Sequence, residues 1–258
     1  MRSTLLRSYY FFFTHTSMKN SLWLAALLLL AAAPTQAQRK VKVKTKPGNA
    51  TAPLDKASRL VPLFGGASVA QAEQLVGAAF LADVGRSFAS KPEASKFFSD
   101  KGYEYLLENQ MDTAVYRFNL AWLLDQKNAD SYRGLGVIAS QRTNNDEAIS
   151  LLAQGLAIDP NNAVIMGDLG SSYLIRFEKD KKKKDLTQAM EYLQKSVAAD
   201  ATNAVTWQQL ARGYFFQENY AKAWEAVHTG QNLNVSSLDF QLIGDLIAKM
   251  PDPKGMFK

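Results

Sequence analysis

The chain has no cysteine, and this absence excludes several kinds of chemistry at once. Disulfides, thiolate nucleophiles, cysteine-ligated metal sites and the cysteine of a lipid-anchored signal are all ruled out. Histidine is nearly absent, since only His228 lies outside the N-terminal segment. No Ser-His-Asp set, zinc motif or GxxxxGK[ST] phosphate loop can be assembled. We therefore expect no catalytic residue, no metal and no cofactor, and we expect His228 to be a polar surface residue on a helix.

Excess positive charge is confined to the start of the chain, although the net charge is +6. Residues 1–37 contain three basic residues and no acid, and residues 39–46 add five basic residues. The remainder carries 22 basic and 24 acidic residues and is close to neutral. This balance lacks the clustered basic face of a nucleic-acid-binding domain, so we expect no nucleic-acid partner.

An apolar run of twelve residues, Leu22 to Ala33, stands near the N-terminus. It is shorter than the roughly 20 residues of a membrane span. Lys19 precedes the run, and the small residues of Thr35-Gln36-Ala37 follow it. These three parts predict a secretory signal peptide within residues 1–37, cleaved after Ala37, with an uncut signal anchor as the alternative. Met18 suits this signal as a start as well as Met1 does. We expect an exported protein, either periplasmic or secreted.

Residues 38–66 combine alternating Lys and Val with several Pro and Gly residues. Such residues break regular elements, so this stretch predicts a flexible basic linker. Its basic residues at 39–46 serve either as a solvated spacer or as a weak electrostatic contact to an anionic envelope surface.

The strongest pattern in the sequence is an internal repeat. Asn-Ala occurs at 128–129, 162–163 and 203–204, and the alanines 114, 148, 189 and 223 are spaced by 34, 41 and 34 residues. One register explains both series as four units, of which the third has a seven-residue insertion. The units are residues 95–128, 129–162, 163–203 and 204–237.

The units carry small residues at positions 8 and 20, and large residues recur at positions 4, 7, 11 and 24. This spacing predicts two helices whose backbones approach closely. The second unit shows it most clearly, with Tyr132, Leu135-Gly136, Ala148, Leu152 and Pro160. The pattern resembles the tetratricopeptide repeat over residues 95–237, more than half of the chain. The resemblance implies an all-α fold, a right-handed superhelical stack of antiparallel helix pairs.

The ends of such a stack need caps, because a helix pair cannot bury its own apolar face. Residues 67–94 are predicted to supply an N-terminal capping helix, helical over 68–88. Residues 238–258 are predicted to supply a C-terminal capping helix and tail, and Ser236 with Asp239 is expected to form a capping box.

The insertion in the third unit carries the charged run EKDKKKKD at 178–185. Seven residues amount to two helical turns, about one for each helix, so the faces of the pair stay in phase. The run forms either a solvated protruding hairpin or a cationic contact point.

In tetratricopeptide-repeat proteins the first helices of successive units line a concave groove. The resemblance implies that the partner-binding residues are Tyr103, Leu106, Arg133, Gln141, Leu174, Gln208, Arg212, Phe215 and Phe216, with Leu107, Val137, Ser171 and Ile175 beside them. Arg133 and Arg212 are expected to bind carboxylates of the partner. Phe215 and Phe216 either offer it an apolar pocket or pack beneath the C-terminal capping helix.

Two classes of function remain. The first is a non-catalytic interaction scaffold or adaptor of the cell envelope, which holds a segment of another exported protein. The second is an accessory subunit of an enzyme or a hydrolase that uses carboxylates such as Asp146 and Glu147. The lack of a second domain favours the first class. The convex face and the insertion at 179–185 stay open as contact surfaces, and the oligomeric state is undetermined.

Overall fold

The computed structural model describes residues 54–258, and all regular elements in this range are helical. Two short 3-10 helices occur at Lys56–Leu60 and Val235–Ser237. The α-helices are α1 (Leu63–Gly66), α2 (Val69–Val76), α3 (Ala78–Ser87), α4 (Lys91–Leu107), α5 (Met111–Leu124), α6 (Ala129–Gln141), α7 (Asn145–Ile158), α8 (Ala163–Asp180), α9 (Lys183–Ala199), α10 (Ala204–Phe216), α11 (Tyr220–Leu233) and α12 (Phe240–Lys249). The prediction of an all-helical fold is confirmed. The predicted signal peptide and the basic residues at 39–46 lie outside the described residues.

Four helix pairs, α4–α5, α6–α7, α8–α9 and α10–α11, form the body of this range. The first helix of each pair begins at a polar side chain that accepts a backbone N–H, namely Ser90, Asn128, Asn162 and Asn203. Such caps satisfy amide groups that the helix itself leaves unpaired. A residue in the left-handed region reverses the chain within each pair: Asn109, Thr143, Lys181 and Glu218.

Small residues lie where the two helices of a pair touch. A Cβ added to Gly136 would stand 2.7 Å from Cγ of Leu152, and one added to Gly170 would stand 2.6 Å from Cγ of Leu193. These distances are shorter than any ordinary carbon contact, so only glycine fits there. The fully buried Ala148 and Ala189 complete the two contacts from the opposite helix.

The seven inserted residues lengthen both helices of the third pair. Helix α8 has 18 residues where α6 and α10 have 13, and α9 has 17 where α7 and α11 have 14. A short turn at Lys181 and Lys182 joins the two. The insertion is therefore a longer helical hairpin, as its length of two turns implies.

The N-terminal end differs from the prediction in two respects. Residues 54–66 are not a linker, because Phe64 is fully buried and its ring lies 6.3 Å from that of Trp122. The capping region is not one helix, because Gly77 adopts φ +91° and separates α2 from α3. Proline and glycine in this segment make sharp turns on the surface of the stack rather than a free chain.

The C-terminal end also departs from the prediction. Asp239, not Ser236, is the N-cap of α12 and accepts the N–H of Leu242. His228 is not a surface residue: it is buried, and its Nε2 lies 2.7 Å from Oδ1 of Asp252. This contact brings the final residues back against α11, which local sequence patterns cannot show.

Among the described residues, no helix combines the length and apolar character needed to cross a membrane.

Candidate partner-binding face

The first helices of the four pairs present two rows of residues with opposite exposure. Position 12 of the units carries Leu106, Ser140, Leu174 and Phe215, all of them buried or half-buried. Position 13 carries Leu107, Gln141, Ile175 and Phe216, and the first three are exposed. One residue along a helix turns the side chain by about 100°, so position 12 points toward the core and position 13 points away from it.

Two of the implied groove residues are not available to a partner. Leu174 is fully buried in the core between α8, α9 and α10. Gln208 is also buried, and its Nε2 donates a hydrogen bond of 3.1 Å to the carbonyl oxygen of Val227 in α11. These two residues hold helices together, and the prediction that they bind a partner is wrong.

Arg133 binds a carboxylate, but that carboxylate belongs to the same chain. Its Nε lies 2.7 Å from Oδ2 of Asp168 on α8, and its guanidinium lies 5.2 Å from the ring centre of Tyr103 on α4. The hydroxyl of Tyr103 donates to the carbonyl oxygen of Asp130 at 3.2 Å. Arg133 therefore links three consecutive units, and its Nε is already bonded to a carboxylate of the chain itself.

Burial shapes the electrostatics of this network. It raises the pKa of the Asp168 carboxyl, and Arg133 offsets this effect in part. Burial likewise raises the pKa of Tyr103, so this hydroxyl stays neutral. A partly buried carboxylate that lost its arginine would keep the desolvation cost without the compensating charge.

Arg212 also binds carboxylates of the same chain. Its Nη1 lies 2.9 Å from Oε1 of Glu178 on α8, and its Nη2 bonds Asp239 at the start of α12. The same carboxylate of Asp239 caps α12. Arg212 thus ties the third pair to the C-terminal helix, which explains why it is half-buried rather than free.

The two phenylalanines of α10 lie in different surroundings. Phe215 packs with the apolar cluster that includes Leu242, Ile243 and Leu246 of α12. Phe216 lies 5.3 Å from Phe177 of α8, ring centre to ring centre. Packing beneath the C-terminal helix therefore holds for Phe215, whereas Phe216 stands at the junction with the lengthened third pair.

What remains accessible is a line of side chains at position 13 of the first helices, which is the end of α4 and α6 but lies inside the longer α8. Leu107 is 89% exposed and Ile175 is 42% exposed. Gln141 stands between them in the repeat order and lines a cleft of about 120 Å³ between α6 and α8, whose other lining residues are Val137, Ser140, Leu152, Asp168, Ser171 and Ser172. This face combines apolar side chains with uncharged hydrogen-bonding groups. Leu106, by contrast, packs against the core beside Tyr103.

Sequence reasoning missed the acids that bind the two arginines: Asp168, Glu178 and Asp239. A signal for one of them exists, because Asp168 occupies the position after the close-packed Gly167 on a groove helix. The other two cannot be inferred by position, since one lies in the insertion and the other lies beyond the repeats.

The carboxylates give no indication of a metal centre. Within residues 54–258, no group of three or more His, Cys, Asp or Glu side chains is arranged to hold a metal ion. Asp146 is bound to Arg176 at 2.7 Å across the junction of two pairs.

Comparisons with known proteins extend the fold assignment. Neither models of protein families nor curated protein sequences match this chain. Solved structures do match. Pseudomonas aeruginosa PilF shares 19% identity, with 62% of this chain and 70% of that chain covered and a TM-score of 0.51. TTC0263, a thermophilic TPR protein of Thermus thermophilus, shares 14% identity, with 62% and 94% covered and a TM-score of 0.51. Likeness at these identities concerns the fold, and this chain therefore has the fold of tetratricopeptide-repeat proteins.

Proposed function

We propose that this protein is a non-catalytic adaptor of the cell envelope that holds a segment of another polypeptide against the exposed ends of its first helices. The observation that carries the proposal is the row at position 13, where Leu107 and Ile175 are exposed although they are apolar. Apolar side chains that recur at the repeat spacing along one side of a stack suit an extended or helical segment that contacts several units.

The character of the proposed contact follows from the side chains that remain accessible. Arg133 and Arg212 are bound to carboxylates of the chain itself, so the proposed contact does not depend on a charge clamp. Leu107, Ile175 and the half-buried Phe216 offer apolar anchors, and desolvated apolar anchors contribute most of the energy of typical interfaces. Gln141 and Ser171 offer hydrogen bonds to a peptide backbone. The partner segment is accordingly apolar on one side.

Site-specific photocrosslinking in the native host tests this proposal. A crosslinking residue at Leu107 and another at Ile175 are each expected to capture the same partner. A matched residue at Lys195, exposed on the second helix of the third pair, serves as the control and is expected not to capture it. Capture at Lys195 but not at Leu107 or Ile175 would place the contact on the second helices and refute the proposal.

Substitution of the row gives an independent measure. Leu107→Ser with Ile175→Ser removes two exposed side chains and leaves the core intact, so the fold is retained while capture of that partner falls. The pair Arg133→Glu and Arg212→Glu is a poor test, because each change would set a new carboxylate against Asp168 or Glu178 and weaken the stack itself.

The location in the envelope rests on the sequence of residues 1–37. Mass spectrometry of the protein from its native host is expected to show a mature N-terminus at Gln38. An intact N-terminus in a cytoplasmic fraction would contradict export, and the adaptor proposal would then apply to the cytoplasm. An alternative role as accessory subunit of an envelope enzyme shares the same contact face and predicts that the captured partner is that enzyme.

A further inference from the structure

The insertion of the third pair forms a second exposed feature, which the proposed contact row does not use. We call residues 178–185 the lysine tip. Helix α8 is five residues longer than α6 or α10, which extends it by about 7 Å at 1.5 Å per residue. All five lysines of the tip are exposed: Lys179, Lys181, Lys182, Lys183 and Lys184.

Every carboxylate of the lysine tip is already bound to a cation. Glu178 is bound by Arg212 at 2.9 Å, Asp180 by Lys182 at 2.8 Å, and Asp185 by Arg176 at 2.7 Å. The two arginines, Arg212 and Arg176, come from outside the tip, whereas Lys182 belongs to it. Among the described residues, the ion pairs leave Lys179, Lys181, Lys183 and Lys184 without an acidic partner. The tip therefore presents four positive charges that the chain itself does not neutralise.

Two of these lysines stand where they cost helix stability. Lys183 and Lys184 occupy the first turn of α9, and the positive end of a helix dipole disfavours cations there. Lys182 at the N-cap makes no side-chain cap bond, as is also true of Gln110 at α5, whereas Asn144 and Asn219 cap the equivalent helices α7 and α11. Residues that oppose local helix preferences without a gain in packing are typical of functional positions.

We propose that the lysine tip contacts an anionic lipid surface. A two-residue turn stands at the centre of the tip, at the end of a lengthened hairpin, so the tip can bring neighbouring lysines together against a flat, negatively charged surface. Each lysine held near such a surface strengthens binding about fivefold. The contact is electrostatic and reversible, because the tip adds no apolar face that would insert into the bilayer.

Positive charge in the folded body is concentrated at the tip. Outside the tip, residues 47–258 carry 17 basic and 21 acidic residues, a net charge of −4, so the remainder of the body does not itself attract an anionic surface. The sequence also contains a second basic segment at residues 39–46, and weak membrane contacts become stable when two of them act on one molecule. An acidic polypeptide is the competing ligand, and the experiment below separates it from lipid.

Partition of the full-length protein into lipid vesicles tests the proposal. Binding to vesicles of phosphatidylcholine with about a third of phosphatidylglycerol is compared with binding to vesicles of pure phosphatidylcholine. Apolar contacts of residues 1–37 contribute to binding in both cases, so they cancel in the ratio of the two partition coefficients. The wild type is expected to prefer the anionic vesicles at low salt and to lose the preference at about 0.5 M salt, where charges are screened within a few ångströms. Absence of any preference for anionic vesicles would overturn the proposal.

Three variants locate the effect. Changing Lys179, Lys181, Lys183 and Lys184 to Gln is expected to lower the preference at least about tenfold. The matched control changes four exposed lysines elsewhere, Lys96, Lys127, Lys195 and Lys249, to Gln, and is expected to keep most of the preference. Changing the four tip lysines to Arg keeps the charge and is expected to keep the binding. An equal loss in the scattered control, or a loss in the Arg variant, would refute a contact at the tip.

Two further comparisons complete the test. The tip variant is repeated in a chain in which Lys40, Lys42, Lys44 and Lys46 are changed to Gln, and the tenfold loss is expected to persist there. Poly-L-glutamate is then offered in place of vesicles. Binding to poly-L-glutamate that depends on the tip, with no preference for anionic vesicles, would reject lipid in favour of an acidic polypeptide. The ammonium of Lys181 lies 5.8 Å from the ring centre of Phe216, an anchor of the proposed contact row. Capture at Leu107 is therefore measured in a variant that keeps Lys181 and changes Lys179, Lys183 and Lys184 to Gln; capture is expected to be unchanged there, so this proposal and the proposed function fail separately.

Discussion

The two ends of the helical stack are closed by different kinds of contact. At the N-terminal end, Phe64 lies fully buried against Trp122, and Nδ2 of Asn119 donates to the carbonyl oxygens of Arg59 and Val61. At the C-terminal end, a buried carboxylate organises the tail. Asp252 accepts the backbone N–H groups of Lys254, Met256 and Phe257 and the Nε2 donor of His228.

The difference makes one end sensitive to pH and the other not. Burial opposes ionisation of Asp252, but its hydrogen-bond donors outweigh that effect and lower the pKa of this carboxyl to about 2. The N-terminal end relies on an apolar side chain and an amide, which do not titrate. Stacks of repeats need both ends closed, and here a buried ring closes one end whereas a buried charge helps to close the other.

The largest expected effect comes from removing the buried ring of the N-terminal end. Phe64→Ala is expected to lower the free energy of unfolding by about 3–5 kcal/mol, because a fully buried phenylalanine leaves a cavity. Chemical denaturation measures the loss. Hydrogen exchange is expected to show lost protection in residues 54–87 first, with α12 unchanged. Val61→Ala, at a partly exposed neighbour, is the control and is expected to change little. Equal loss of protection at both ends would contradict independent closure.

A change in the middle of the stack is expected to affect both ends. Gly136→Leu forces a side chain into the contact with Leu152 and is expected to cost about 1–3 kcal/mol or more, since overpacked cores must shift. Gly85→Leu is the matched control, because no atom lies within 4 Å of an added Cβ there. Thermal melting compares the two. An unchanged melting temperature in Gly136→Leu would show that these helices do not touch as described.

The comparison also shows what the sequence could predict. Contacts inside a repeat recur at fixed spacing, so Gly136, Ala148 and Leu152 could be placed from the pattern alone. Contacts of the ends do not recur. Phe64 follows a proline and precedes two glycines, a composition typical of linkers, and the partner of His228 lies 24 residues away in an irregular tail.

The candidate site could be predicted only in part, because the sequence pattern does not show which side chains of neighbouring units bind each other. The groove positions follow from the repeat, and Gln141 does line an accessible cleft. Whether a side chain at such a position is free depends on its neighbours in the next unit. Arg133 and Arg212 are occupied by Asp168 and Glu178, and a repeat pattern that describes one unit at a time contains no information on pairs across units.

Removing the charge of the C-terminal end is expected to have a smaller effect that depends on pH. Asp252→Asn is expected to cost about 1–3 kcal/mol at neutral pH, the usual range for a buried hydrogen-bonding group that loses its partners. The folded-state pKa lies below the unfolded value of about 3.9. Ionised Asp252 therefore contributes stability above about pH 4, and this contribution is lost as the pH falls toward 2.

Denaturation of wild type and Asp252→Asn across this pH range measures the difference. The gap between them is expected to close as the pH falls from about 4 toward 2. Asp245→Asn, at an exposed position of α12, is the control and is expected to show no such gap. The Phe64→Ala deficit, by contrast, is expected to stay the same throughout. A gap for Asp252→Asn that widens toward low pH would contradict the lowered pKa.

The smallest expected effects on the free energy of unfolding concern surface ion pairs that join neighbouring units. These pairs are present toward the N-terminal end of the stack and missing at the last junction. Asp112 binds Arg142 in the next unit, and Asp146 binds Arg176 at the same repeat positions. At the junction nearest the C-terminal end the corresponding residues are Thr187 and Gln217, which cannot form such a pair. The series of ion pairs therefore stops one junction before the C-terminal end.

The first two junctions offer a matched pair of substitutions. Asp112→Asn is expected to cost about 0.2–1 kcal/mol, as exposed ion pairs do. Asp146→Asn is expected to cost less, because Arg176 keeps its two bonds to the buried Asp185, of 3.0 and 2.7 Å. Urea denaturation at low salt and at 1 M salt measures both, and salt is expected to remove the cost by screening. A salt-independent loss above about 2 kcal/mol at Asp146 would show that this pair, rather than apolar packing, holds the second and third units together.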